Sequence, residues 1–292
     1  MLDFIMTPVY DAILLYAVPG FVLFLVLEIL WDLRRGTAHY EWKDAATSIA
    51  LGLGSLVTKS MSKVMTLGLF FLAWHNRLFE IPLAWWSLLL LFFLEDHSYY
   101  WYHRASHEIP AFWAAHVAHH SSERYHLATA LRQPWTTFWH HWIFWLPLAW
   151  LGFHPVWIFT AQAINLIYQF WIHTPFIDRL GPLEWILNTP SHHRVHHGSN
   201  PRYIDRNHGG IFILWDRLYG TFELETEKVR YGITKPVHSY NPLWLNLHVY
   251  ADLWHQAKQS GSVWQGLKVF FARRPRVQAV PESALAEPSR TA

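Results

Sequence analysis

Cysteine is absent from this sequence. Its absence excludes disulfides, thiolate-bound zinc, iron–sulfur clusters and cysteine-ligated haem. Charge is scarce too. Only 15% of the residues are Asp, Glu, Lys or Arg, against about 25% in a typical soluble domain. The formal net charge of +2 is too small to point to nucleic acid. Apolar residues make up 52% of the chain and aromatic ones 17%, a balance that argues for a membrane protein. The first apolar run follows Asp3 and Asp11 rather than a basic segment, so no cleavable signal peptide is expected.

Histidine, in contrast, is abundant, with 21 copies in 292 residues. The spacing His-x-x-His-His occurs twice, at His116, His119 and His120 and again at His193, His196 and His197. His103 and His107 form a further pair just upstream. Residues three and four apart share one helix face, so each cluster is expected to point two or three imidazoles at one spot. These eight side chains exceed the roughly six donors that one ion accepts, which favours two metals. His173 ends an apolar segment, in Gln169-Phe-Trp-Ile-His173. A polar group there is costly unless it has a role, so it joins the ligand candidates.

The remaining histidines read differently. His39, His75, His154, His238, His248 and His255 are isolated and read as interfacial or surface residues. His97, beside Asp96, falls off the His103/His107 face and reads as a supporting partner. His192 is a ligand or a supporting partner. His140 and His141 read as interfacial residues or the lining of a channel. Asp96, Glu108, Asp205 and Asn207 are the polar groups near the clusters in sequence and the candidate partners for ligand N–H groups. Because carboxylates are so few there, the donor set is neutral and the centre would keep its positive charge. That favours oxygen chemistry, although zinc also accepts imidazole.

The expected architecture is all-α: an integral membrane helical bundle of about five spans with a cytoplasmic His-rich helical cap. The spans are Ala12–Leu33, Ala45–Trp74 (one long span or two short ones), Leu83–Tyr102, and a hairpin of Trp135–Phe153 and Pro155–Ile172. The basic Arg34–Lys43 loop is expected in the cytoplasm. Five spans then bring every His cluster to the cytoplasmic face. Three regions are expected: 1–94, an N-terminal membrane region; 95–225, a catalytic region that includes the hairpin; and 226–292, a C-terminal cytoplasmic region whose tail from Val277 reads as disordered.

Around the clusters, several stretches carry a family likeness: His103-Arg-Ala-Ser-His107-Glu108, His116-Val-Ala-His119-His120, Ala128-Thr-Ala-Leu-Arg132-Gln133, Leu187-Asn-Thr-Pro-Ser-His-His-Arg-Val-His-His-Gly198 and Trp215-Asp-Arg-Leu-Tyr-Gly-Thr-Phe222. From about Glu95 to Glu225 the chain resembles the fatty acid hydroxylase/sterol desaturase superfamily, and within it the alkylglycerol monooxygenase branch. The resemblance implies a membrane di-iron oxygenase that hydroxylates a lipid C–H bond with O2. In that branch the carbon is next to an ether oxygen, and the product collapses to a fatty aldehyde and glycerol. Tetrahydrobiopterin is the reductant the branch implies; the wider superfamily implies an electron-donor protein, ferredoxin or cytochrome b5. Carried over by residue, the resemblance makes His103, His107, His116, His119, His120, His193, His196 and His197 iron ligands and gives Glu108 a catalytic position. Two departures stand out. Asn207-His208 stands where the family often has Asn-Tyr, so His208 is an aromatic replacement or an extra ligand. The long C-terminal membrane part of the animal enzyme is lacking, which bears on pterin use and ether-lipid specificity. Sterol or fatty-acyl oxidation is the near alternative. A membrane metal-binding or transport protein and a zinc hydrolase are the distant ones.

Overall fold

The computed structural model describes residues 2–274, and the tail expected to be disordered lies outside the described residues. The chain is helical: α1 (Leu2–Arg35), α2 (Trp42–His75), α3 (Trp85–Glu108), α4 (Pro110–His120), α5 (Leu127–Ala130), α6 (Leu146–Leu151), α7 (Pro155–Trp171), α8 (Pro190–His196), α9 (Leu214–Tyr219), α10 (Pro242–Gln259) and α11 (Val263–Phe271). Short 3-10 turns cover Thr137–Trp139, His141–Phe144 and Gly181–Trp185. Among the described residues no strand forms, and two isolated bridges, Leu187 with Phe212 and Gly198 with Tyr231, tie loops together.

Two helical segments are long and apolar enough to cross a bilayer, Leu15–Arg35 and Trp42–His75. Their apolar side chains are left open: Leu23, Phe24, Leu30, Leu56, Val57, Met61 and Val64 are all more than half exposed. In water such a surface would aggregate, and it suits hydrocarbon. The stretch from Ala45 to Trp74 lies in one uninterrupted helix. Trp135–Phe153 departs from expectation. It is two 3-10 turns and the six-residue α6, not a helix of span length. Pro134 precedes it, and Pro147 and Gly152 interrupt it; proline both removes a donor and blocks the preceding turn. Of the other expected spans, α3 has 24 residues but includes Glu95, Asp96 and Arg104, and α7 has 17.

α7 packs between α1 and α3; α3 packs on α4, α4 on α10, and α10 on α11, while α2 lies along α6. One end of the bundle has an apolar core of Phe70, Leu91, Trp145, Leu148, Phe153 and Ile158. Along α3 the buried residues then change from Leu91 to Glu95 and Asp96, and finally to His103 and His107. Gly54 permits a close approach, since a Cβ there would lie 2.3 Å from the Trp135 ring.

Two buried carboxylates tie the helices to the His-rich end. Glu28 of α1 accepts hydrogen bonds from the Leu127 N–H (2.7 Å), the Thr174 hydroxyl and the Tyr40 hydroxyl. Asp44 of α2 accepts from the Arg132 guanidinium at 3.0 Å and from the Ser122 hydroxyl at 2.7 Å. Asp44 and Arg132 are both buried. Removing one partner of such a pair strands the other, at a cost of about 3–5 kcal/mol. Asp44→Ala is therefore expected to lower unfolding free energy by about that amount, and Asp44→Asn combined with Arg132→Gln by less. Denaturant titration in detergent micelles measures both. Equal losses would show that the stranded guanidinium is not the cause.

Candidate metal centre

Chain geometry delivers the histidines. Ile109 precedes Pro110 and is extended (φ −102°, ψ 122°), as a residue before proline must be. α3 therefore ends at Glu108, and Pro110 opens α4 at a position that needs no N–H. The resulting corner turns His116, His119 and His120 back towards His103 and His107. Thr189 and Pro190 start α8 in the same way, and His173 follows the end of α7.

Nine histidines form two buried groups able to hold a metal ion. His103, His107, His116, His120 and His196 make the first, and His119, His173, His193 and His197 the second; within each group the ring nitrogens lie within 4.8 Å of one another. Each cluster was expected to point two or three imidazoles at one spot, and each triplet points two, with the third divided from them. His116 and His120, one turn apart, enter the first group, while His119 enters the second. His193 and His197 enter the second, while His196 enters the first. Positions i and i+4 lie on one face, and i+3 points about 100° away from i+4, so the third imidazole of each triplet crosses to the other group.

Hydrogen bonds fix which ring nitrogen is bare. Nδ1 donates to a backbone carbonyl in His103 (His208 O, 2.9 Å), His119 (Arg132 O, 3.2 Å), His173 (Gln169 O, 2.7 Å) and His196 (Arg206 O, 2.9 Å). A carbonyl only accepts, so Nδ1 carries the proton and a neutral ring presents a lone pair at Nε2. His119 Nε2 nevertheless lies 3.4 Å from His173 Nε2, where two lone pairs face each other with no proton between them. His107 Nε2 and His196 Nε2 are buried without a partner. Further Nε2 pairs are 2.9 to 3.2 Å apart: His173 with His193, His116 with His120, His103 with His116, and His193 with His197. With a metal–nitrogen bond of about 2.1 Å, ligands at 90° to 110° stand about 3.0–3.4 Å apart. The spacing and the bare nitrogens both fit a bound cation.

A single loop supports most of the first group. Residues 205–208 offer the carbonyls of Arg206 and His208 to His196 and His103, and Asp205 Oδ1 lies 3.4 Å from His107 Nδ1. Asp205 (φ 57°) and Asn207 (φ 55°) are left-handed, a conformation that Asp and Asn tolerate better than most residues but that still costs energy. The loop is held on several sides. The Asn207 amide donates to the His192 and Glu223 carbonyls, and Asp216 accepts the N–H groups of His208 and Gly209.

The other candidates are placed as follows. Glu108 is in neither group; Arg104 donates to it at 3.0 Å and Arg273 at 2.6 Å. Asp96 touches no histidine and instead accepts the N–H groups of Ile211 and Phe212 and the Trp215 indole. His97 pairs with the Tyr219 hydroxyl, and His192 is buried beside Glu184 at 3.9 Å. His208 is buried, with its ring centre 5.0 Å from that of His107 and its Nε2 donating to the Asp205 carbonyl. Of the isolated histidines, His39 meets Asp32, His154 accepts from Val156 N–H, and His255 meets Gln259. Sequence reasoning missed Arg132 and Asp44 as supports: the Arg132 guanidinium is anchored while its carbonyl receives His119. A cavity of about 300 Å³ lies at the far end of α3, lined by Trp74, Ser87, Leu91, His154 and Trp157, away from the two histidine groups.

Two groups of buried imidazoles at one end of a helical bundle with open apolar helices define a class, the histidine-rich helical protein of membrane type whose clusters could bind metal. Residues 88–221 match the sequence profile described as fatty acid hydroxylase, so this part of the chain carries a fatty acid hydroxylase domain. It is 44% identical to alkylglycerol monooxygenase of Homo sapiens over 82% of this chain and 54% of that protein. It is 42% identical to the Danio rerio protein of the same name over 87% of this chain and 58% of that one. It is 28% identical to ornithine lipid hydroxylase OlsE of Rhizobium tropici, over 67% of this chain and 60% of that protein. The chain thus spans little more than half the length of these relatives. No solved structure matches it.

Burial makes the clusters sensitive to acid. It holds His116, His120, His193, His196 and His197 well below the usual imidazole range, and His119 at about 4. An unfolded imidazole titrates near 6.5. Between pH 6.5 and 4 the unfolded chain therefore takes up protons that the folded chain refuses, and stability falls as pH is lowered. Denaturation of metal-stripped protein from pH 7.5 to 4.5 is expected to show this decline; a flat profile would contradict it. Asn207→Ala should release the loop and weaken metal retention at one group by about 10–100-fold. Elemental analysis during chelator competition is expected to show one metal leaving early and one staying. Simultaneous loss of both would mean that the loop does not act on the first group alone.

Proposed function

We propose that the chain is a membrane-bound non-haem di-iron oxygenase that hydroxylates a lipid C–H bond, with an O-alkylglycerol as substrate. The observation that carries this reading is the pair of all-imidazole groups inside a fatty acid hydroxylase domain. His103, His107, His116, His120 and His196 would hold one iron, and His119, His173, His193 and His197 the other. The irons would supply O2 activation. The overall change is R–H + O2 + 2e⁻ + 2H⁺ giving R–OH and water, with the two electrons drawn from a reductant. Hydroxylation beside an ether oxygen gives a hemiacetal, which divides into a fatty aldehyde and glycerol. Tetrahydrobiopterin is the reductant we assign, with ferredoxin or cytochrome b5 as the alternative.

The chain's own residues have three tasks in this reading. The carbonyls of Gln169, Arg132, Arg206 and His208 hold four imidazoles in the tautomer that leaves Nε2 bare, and metal-bound imidazole must be neutral. Burial of both groups excludes bulk water. Glu108, between Arg104 and Arg273, anchors the corner after α3 beside His107 rather than handling substrate. Residues 1–94 are assigned to the membrane, 95–225 to catalysis and 226–292 to a C-terminal cytoplasmic region. The basic Arg34–Lys43 loop supports a cytoplasmic side for the histidines.

Relatives named for alkylglycerol support the ether-lipid substrate, and the one named for ornithine lipid supports a wider lipid hydroxylase reading. The test is an O2-dependent assay of detergent-purified protein on alkylglycerol, an ornithine lipid and a sterol, each with and without tetrahydrobiopterin, alongside elemental analysis. Two irons per chain and fatty aldehyde from alkylglycerol are expected. His119→Ala and His196→Ala should each lose metal and activity, more than the 10–100-fold typical of a supporting residue, while His154→Ala and His255→Ala stay near the parent. One zinc per chain and no iron would overturn the di-iron assignment.

A further inference from the structure

Beyond the fatty acid hydroxylase domain the chain forms a helical hairpin whose apolar faces are not covered by any of the described residues. On α10 the exposed residues Leu243, Trp244, Leu247 and Trp254 fall in one stripe, at spacings of three to seven residues that keep to one helix face. On α11 no residue is buried, and Val263, Trp264, Leu267 and Phe271 are all exposed. Both helices begin with built caps. The Asn241 side chain accepts from Leu243 N–H, and the Ser262 hydroxyl from Gln265 N–H. The helices are therefore defined locally, without cover for their apolar sides.

The same short pattern occurs on each helix. Lys258 sits one turn after Trp254 with its ammonium 5.3 Å from the ring, and Lys268 sits one turn after Trp264 at 5.5 Å. An aromatic ring with a cation one turn beyond it suits a polar–apolar boundary, where the ring lies at headgroup level and the lysine stem extends to the charge. The hairpin also continues from the membrane helices. The Thr47 hydroxyl of α2 donates to the Tyr240 carbonyl just before α10, and α10 packs on α2 and α4.

We propose that α10 and α11 form a monotopic docking element that lies on an anionic lipid bilayer surface, with Lys258 and Lys268 meeting lipid phosphates or carboxylates. Stable interfacial binding of a short helix combines buried apolar area with attraction to anionic lipid, and both are present. The far end of the hairpin reaches residues that adjoin the first histidine group. The Arg274 N–H donates to the Glu108 carbonyl, Arg273 pairs with the Glu108 carboxylate, and the Trp113 ring beneath Arg274 is 5.3 Å from the His107 ring. A lipid leaving the bilayer along this hairpin arrives beside the first histidine group.

This inference rests on the reading of the chain as membrane-embedded, and the test separates the two. The chain has no cysteine, so a single introduced one takes a nitroxide label uniquely. Labels at Leu267→Cys, Gln265→Cys and Met61→Cys are read by collision with O2 and with an aqueous nickel chelate, after reconstitution into neutral phosphatidylcholine vesicles or into ones containing phosphatidylserine. The expected result is several-fold less nickel access at 267 than at 265 in anionic vesicles. That protection should shrink in neutral vesicles, in high salt, and with Lys258→Glu plus Lys268→Glu. Met61 should be protected throughout. Equal nickel access at 267 and 265, with Met61 protected, overturns the docking element alone. Protection at 267 that ignores lipid charge overturns the anionic partner. Dipolar broadening between labels in dilute micelles assigns the face to a second copy and overturns the proposal. An aqueous Met61 overturns the membrane reading and the docking element with it.

Discussion

Everything at the histidine end depends on one electrostatic fact: neutral imidazoles have been brought together with their lone pairs facing inward. At His119 and His173 the protons are spent on backbone carbonyls, so the Nε2 atoms cannot bond to each other. Such an arrangement is repulsive without a cation between the rings. The rest of the fold supplies the constraint that keeps the rings there. Two proline corners aim α4 and α8, and two buried carboxylates, Glu28 and Asp44, tie the long helices to the segments that present His173 and His119.

The crossing of the triplets has a consequence for cooperativity. A triplet that served one group alone would let the two groups form independently. Because His119 leaves its triplet for the second group and His196 leaves its own for the first, α4 and α8 contribute to both. A shift of either helix disturbs both groups together. The loop at 205–208 does not share this symmetry, since the donors it touches, His103, His107 and His196, all belong to the first group.

The helical class, the nine histidines now found together and the long apolar helix from Ala45 could be read from spacing and composition, because a 3.6-residue period and a hydrophobic run are local signals. The division of each triplet could not. The i+3 and i+4 positions look equivalent in sequence until two centres lie on either side of the helix. The broken stretch at Trp135–Phe153 was misjudged because apolar composition outweighed Pro134 and Pro147. Arg132 and Asp44 stand 88 positions apart, and nothing local marks them as partners. Asp96 lies about two turns before His103 and looked like a partner for it. Its two oxygens instead satisfy the Ile211 and Phe212 N–H groups, a need that arises only once the chain has returned from more than a hundred residues away.

The polarity of the interior connects the architecture to its chemistry. Along α3 the buried side runs from Leu91 through Glu95 and Asp96 to His103 and His107, about 1.5 Å per residue, so the whole change takes place within roughly 25 Å. The apolar core lies at the first end of that gradient, and the two histidine groups that could hold a cation lie at the last. The carboxylates between them do not extend the donor set. Glu95 and Asp96 accept from Trp145, from Asn165 and from the Ile211 and Phe212 N–H groups. Buried polar groups satisfied in this way stay where they are, so the donors that remain at the far end are imidazoles alone.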